Sequence, residues 1–276
     1  MERFYLSATI ACLSVWACET GYAGVIAMPP PGPARAANSD AVIVGKVDAL
    51  EPQDVIVGNT KYRIAVVRIN EGIKGAKAGQ KTLRIGFVPI EKPNPIVIRT
   101  GATPVQLEPG QEGLFLLKKQ AKEDFYTIGG VVGYFINSDK NKDFDIEVQA
   151  AKTAAKAAAN PLASLKVNEA EERLLAAAIF IEKYRAFRGP NAKQEAIDAE
   201  ESKQILQALA GADWQTQLNF GSLRPNPTQL FQMLGVTAKD GFVPPNGGNY
   251  QDAARMWLTR NADTYRIQRF VTAQTK

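Results

Sequence analysis

Histidine is absent from all 276 residues. That removes the commonest general base, the usual zinc ligand and every Ser-His or Cys-His nucleophile arrangement. Cysteine is almost as scarce: the two present, Cys12 and Cys18, both stand near the start of the chain. No P-loop, G-x-S-x-G, S-x-x-K or Rossmann glycine pattern occurs anywhere. An enzyme built on this chain would have to work with carboxylates, Lys, Ser or Tyr. Long apolar runs are missing too. The longest, from Phe4 to Ala17, falls short of the ~20 residues that a membrane-spanning helix needs.

That run follows Arg3 and precedes small residues at Gly21-Tyr22-Ala23 and Val25-Ile26-Ala27, the pattern of an export signal. Cleavage near Ala23 or Ala27 is expected. It would leave a chain without cysteine, and so without disulfide or thiolate chemistry. Two alternatives stay open. One is an uncleaved anchor. The other is lipidation of Cys18, for which Val15-Trp16-Ala17-Cys18 is a poor lipobox because Trp16 stands where a small residue belongs. Removing residues 1–27 leaves 32 bases against 26 acids, a net +6. This mild surplus permits weak attraction to polyanions and fits an ordinary solvated surface equally well. An extracytoplasmic location follows: periplasm, cell envelope or secreted.

After the signal, residues 28–38 are Pro-rich and read as an extended spacer. Residues 39–137 carry strand signals. Ala41 to Leu50 is rich in Val and Ile, and Val55-Ile56-Val57 is a short run. Lys61 to Asn70 alternates, with Tyr62, Ile64, Val66 and Ile69 expected inward, while Thr82 to Val88 sets Leu83, Ile85 and Phe87 on one face. Five prolines between Pro89 and Pro109 interrupt the pattern, leaving Ile96-Val97-Ile98 as an edge candidate. Gly113 to Leu117 is continuously apolar, as a strand buried on both faces would be. Phe125 to Ile128 and Val131 to Ile136 follow as partners. Short antiparallel strands in this density favour a closed barrel, because closure removes exposed edges.

Several of these residues resemble a known family. Asp40-Ala41-Val42-Ile43-Val44-Gly45-Lys46-Val47, the Tyr62–Ile69 strand, Lys74-Gly75, Leu107-Glu108-Pro109-Gly110-Gln111 and Leu114-Phe115-Leu116 resemble the OB-fold barrel of netrin-like (NTR) and TIMP-like domains over residues 39–136. The resemblance implies an OB-like fold. It does not carry protease inhibition, because TIMP-like inhibitors chelate a metal through an N-terminal cysteine that the mature chain lacks.

Residues 138–276 read as an α-helical domain. Helix signals run from Ile146 to Ala159, from Asn168 (with Glu171 as a capping box) to Tyr184, and from Asp198 (with Glu201) to Gly211. Others run from Asn226-Pro227 to Leu234 and from Tyr250 to Arg260, and Arg266 to Val271 reads as a continuation or a closing strand. The fold class is therefore α+β: a small antiparallel OB-like barrel followed by a helical bundle. Paired caps hint at HEAT-like hairpins, although no fixed repeat period is present.

Asp139, Asn141, Asp143 and Asp145 occupy alternating positions of an EF-hand-like loop, with Glu147 next in the series. Phe144 replaces the turn glycine and Ala150 the bidentate glutamate, so an acidic helix start competes with calcium as the explanation. No cofactor and no catalytic residue is assigned. The carboxylates at Glu169, Glu171 and Glu172 and at Asp198, Glu200 and Glu201 fit helix starts. The binding candidates are Lys61, Arg63, Arg68 and Arg84 on strands, with Lys118 and Lys119 at a strand end. The expectation is a non-enzymatic binding protein of the cell envelope whose partner is a protein or a polyanionic envelope component rather than nucleic acid. The alternatives are a carboxylate-dependent hydrolase with its site between the two parts, and a purely structural component.

Overall fold

The structure, a computed structural model, describes residues 30–89, 105–128, 133–137, 141–186, 192–216, 218, 221–245 and 247–271. The signal segment, both cysteines and Ile96-Val97-Ile98 lie outside these residues.

Five strands close a barrel. They are β1 (Ala41–Leu50), β3 (Thr60–Lys74), β4 (Thr82–Phe87), β6 (Tyr126–Ile128) and β5 (Glu112–Lys119), in the order β1-β3-β4-β6-β5 and back to β1. Neighbours run antiparallel except β4 and β6, which are parallel. A short β2 (Val55–Val57) adds to β3, and β7 (Tyr134–Ile136) adds to β5. Three register irregularities between β1 and β3 let these long strands coil around the barrel, since each local mismatch bends and twists the ladder. Lys74-Gly75 ends β3 at a tight place. Gly75 has φ +71°, and a Cβ there would lie 1.9 Å from the Asp40 carbonyl oxygen.

The barrel interior holds Ile43, Val47, Ala65, Val67, Leu83, Ile85, Phe87, Phe115 and Leu117. Of the inward set expected on β3, Ile69 packs against this interior, while the rest is shifted. Ala65 and Val67 point into the barrel, whereas Tyr62, Ile64 and Val66 fall on the opposite face of the strand. Ile64 is nonetheless fully buried, because Phe125 lies across it and Gly86. Alternation revealed the strand but not which of its two faces turns inward.

A second core forms on the outside of the barrel. Val42, Leu114 and Leu116 pack against Ala36 of α1 (Gly32–Asn38), Phe144, Val148, Ala151 and Ala154 of α2 (Phe144–Ala159), and Leu175 of α4 (Ala170–Arg185). Strands β1 and β5 are thus buried on both faces, as the unbroken apolar run at 113–117 predicts. This core joins residues on both sides of position 137. The expected spacer at 28–38 is corrected: residues 32–38 form a buried helix. Prolines suit a first helical turn, where no N–H partner is lost, and Ala34 to Ala37 favour helix once α1 is packed.

A third core holds α4, α5 (Ala199–Ala210), α6 (Pro227–Leu234) and α7 (Tyr250–Asn261) together. One turn, α3 (Pro161–Ser164), links α2 to α4. Asp198 caps α5 by accepting from the Glu200 and Glu201 amides, and Asn226 caps α6. The expected Asn168–Glu171 capping box does not form. Instead α4 starts at Ala170, and the Arg173 side chain donates to the carbonyls of Val167 and Asn168. The chain from Gln268 to Val271 is a strand, β9, paired with an unforeseen β8 (Lys193–Ala196). Among the described residues no helix is long and apolar enough to cross a membrane.

Candidate functional site

The six basic residues marked by the sequence do not make a bare cationic face. Lys61 Nζ lies 3.1 Å and Arg63 Nε 3.3 Å from the Asp54 carboxylate, and Arg68 Nε lies 3.5 Å from Asp48. Arg84 grips Glu51 and also donates to the Asp124 carbonyl. Lys118 Nζ lies 3.3 Å from Asp40, which accepts from the Lys119 amide through its other oxygen at 2.8 Å. The Lys119 side chain is exposed. These contacts hold Asp54, Glu51 and Asp40 below their usual carboxylate range. Lys61 is the main cause for Asp54, Arg84 for Glu51, and the Lys119 amide for Asp40. The two rings on this side, Tyr62 and Phe125, pack on each other with centroids 5.3 Å apart, and Phe125 is buried. Neither is a free platform for a stacked ligand.

The calcium candidates are dispersed. Asp139 lies outside the described residues. Asn141 donates its side-chain amide to the Ile136 carbonyl at 2.9 Å, Asp143 occupies the N-cap of α2, and Asp145 is exposed in its first turn. Glu147 turns away into the core and accepts from Ser222 Oγ and the Leu223 amide, each at 2.6 Å. Among the described residues no group of three or more acidic, Cys or His side chains is placed to hold a metal ion.

A different set of cations converges where the barrel meets the helices. The end of β3 (Glu71, Gly72, Ile73, Lys74) and one face of α2 (Lys152, Ala155, Lys156) enclose a groove of about 380 Å³. Three lysines line it against one glutamate. Lys152 and Lys156 share a helix face through their i,i+4 spacing. Lys152 bridges to Glu71 at 2.8 Å and so ties helix to barrel. Lys156 reaches Glu172 at 2.7 Å, and Ser164 Oγ donates to the same carboxylate at 2.9 Å. Lys74 Nζ donates to the Ala37 carbonyl at the end of α1. Burial lowers the Lys74 pKa and the charge of nearby Lys118 lowers it further, while Asp40 opposes both. The sequence held part of this signal in the Lys152/Lys156 spacing, but Lys74 is brought to them only by the fold.

Among the described residues every carboxylate with a displaced pKa, namely Asp40, Glu51, Asp54, Glu172, Asp198 and Asp213, is displaced downward. A general acid requires the opposite displacement. No protein-family model matches the chain, and a search of the curated proteins finds no match.

Proposed function

We propose that the chain is an exported, non-enzymatic binding protein that uses the lysine groove between β3 and α2 to hold a polyanionic component of the cell envelope. The observation that carries this reading is the three-to-one excess of lysine over glutamate in that groove. Positive groups gathered in a concavity attract negatively charged chains more strongly than the same charges spread over a convex surface. The cations on the barrel face, all but Lys119 paired with an acid, are spread along strands rather than gathered in a concavity and contribute less. The strand order β1-β3-β4-β6-β5, with its single parallel pair, supports the OB-like reading of the barrel and, with the motifs above, its netrin-like character. The α2–α4 segment and the helices after it are taken as the helical second part.

The test uses the chain beginning at Met28, applied to immobilised dextran sulfate as a surrogate polyanion and eluted with salt. Wild-type protein is expected to be retained at low salt. A Lys74→Gln, Lys152→Gln, Lys156→Gln variant is expected to elute clearly earlier, because surface electrostatics weaken as ions screen them. Equal elution of the two proteins overturns the assignment of the groove. A pull-down from envelope extract at low salt that recovers no anionic component overturns the binding function itself.

A further inference from the structure

A second concavity shares no lining residue with the lysine groove, and its chemistry is of another kind. The start of α4, the turn after α5 and the segment leading into α6 enclose a cleft of about 390 Å³. This is near the small end of the range for small-molecule sites, roughly 300–1,000 Å³. Its walls carry Leu174 and Pro227 as apolar surface and Glu171, Asp213, Thr216 and Arg224 as polar groups.

Arg224 is the unusual member. Among the described residues its buried Nε has no hydrogen-bond partner and its guanidinium forms no ion pair. A guanidinium stays charged at any physiological pH, so this donor cannot be silenced by losing its proton. A guanidinium on the cleft wall without a counter-charge is unfavourable, and an anion entering the cleft would supply one. The two acids on the same cleft do not perform this task. Asp213 is held by the Thr216 hydroxyl and by the Gln215 amide at 2.9 Å. Those bonds keep it ionised, since its pKa lies below the usual range. Glu171 is exposed at the first turn of α4. The cleft therefore carries one guanidinium without an ion pair, two carboxylates and an apolar wall.

We propose that this cleft binds a small zwitterion with an apolar body, an α-amino acid or a dipeptide. The carboxylate meets Arg224, the ammonium meets Glu171 and Asp213, and the side chain lies against Leu174 and Pro227. Charge-assisted bonds at both ends select against molecules that carry only one of the two charges. The site is separate from the lysine groove and does not depend on it.

The experiment is isothermal titration of the chain from Met28 with L-leucine, the dipeptide Ala-Leu, its C-terminal amide and its N-acetyl derivative. Saturable binding of leucine or Ala-Leu is expected, with at least about tenfold weaker binding of the amide and the acetylated form, the effect of losing one ionic bond. Leucine against Ala-Leu distinguishes a free amino acid from a peptide. Arg224→Gln and Glu171→Gln should each weaken Ala-Leu by a similar factor, while the triple lysine variant of the groove should bind it as wild type does. Glu171 is exposed, so its variant remains informative even where Arg224→Gln fails to fold. Absence of saturable binding by either zwitterion overturns the proposal. So does equal affinity for Ala-Leu and its amide, or unchanged affinity in both single variants.

Discussion

Arg84 holds Glu51 in a two-pronged fork, Nε to Oε1 at 2.6 Å and Nη2 to Oε2 at 2.8 Å. The fork joins β4 to the chain just after β1, on the side of the barrel where the sequence placed its cationic candidates. Glu51→Gln is expected to lower stability by about 1 kcal/mol, the upper range for a partly exposed pair, measured by urea unfolding. The same variant frees a guanidinium. It should therefore bind dextran sulfate more tightly than wild type; unchanged retention would mean that pairing with Glu51 is not what keeps this face neutral.

Phe125 covers the hollow at Gly86, where a Cβ would come within 2.5 Å of its ring. The ring is 1% exposed and also touches Tyr62. Phe125→Ala is expected to cost about 3–5 kcal/mol, the usual loss for a buried ring. Gly86→Val should also destabilise, by about 1–3 kcal/mol through overpacking. If Gly86→Val were neutral in urea unfolding, the close approach of ring and backbone would not be a feature of the folded protein.

Glu147 links α2 to the segment at Ser222 and Leu223, and Arg35 of α1 donates to the Ser222 carbonyl at 2.8 Å. Burial lowers the Arg35 pKa to about 10, with the Glu147 charge opposing that drop. Removing the carboxylate takes a counter-charge from near the Arg35 guanidinium and leaves the Ser222 hydroxyl and the Leu223 amide without this acceptor. Glu147→Ala should cost about 3–5 kcal/mol, and Glu147→Gln distinctly less, because the amide oxygen still accepts one of the bonds. Equal losses for the two would assign the effect to the missing charge rather than to the acceptor oxygen.

Glu172 has a pKa lowered from its ordinary 4.5, first by Lys156 and then by Ser164, against the opposing effect of burial. A carboxylate with a lower pKa in the folded than in the unfolded state stabilises the fold fully above 4.5. The benefit fades as pH falls through the folded value, because the unfolded chain takes up the proton first. The urea midpoint of wild type should therefore exceed that of Glu172→Gln near neutral pH, and the gap should narrow as the pH is lowered below 4.5. A gap independent of pH would assign the difference to packing.

Much of the barrel was legible in the sequence because a strand writes its burial pattern locally. Leu83, Ile85 and Phe87 alternate, and the run from Gly113 to Leu117 declares burial on both faces. Helix ends at Asp198, Asn226 and Gly235 were legible for a similar reason, since a cap is chemistry between near neighbours. The rest needed distant partners. Helix α1 was hidden because Pro and Gly argue against helix, and its Gly32 matters only in that a Cβ there would lie 2.3 Å from the Ser222 carbonyl oxygen. Lys193 to Ala196 has no strand propensity and becomes β8 only through β9. Of the two concavities, Lys152 and Lys156 were visible as neighbours on a helix. The unmatched state of Arg224 depends on what fails to reach it, which no local pattern records.

The contact between Arg35 and Ser222 spans 187 positions of the chain. Chains are made from the N-terminus onward, so α1 is among the first segments completed and among the last to find its place. Until the 221–224 segment exists, the faces of Ala36, Val42 and Leu114 have nothing from that segment to cover them. The barrel can close early, but its outer surface waits for the far end of the sequence, and such distant closure slows folding. Once the latch is shut, barrel and helices are fastened through one shared core and should melt in a single step rather than two.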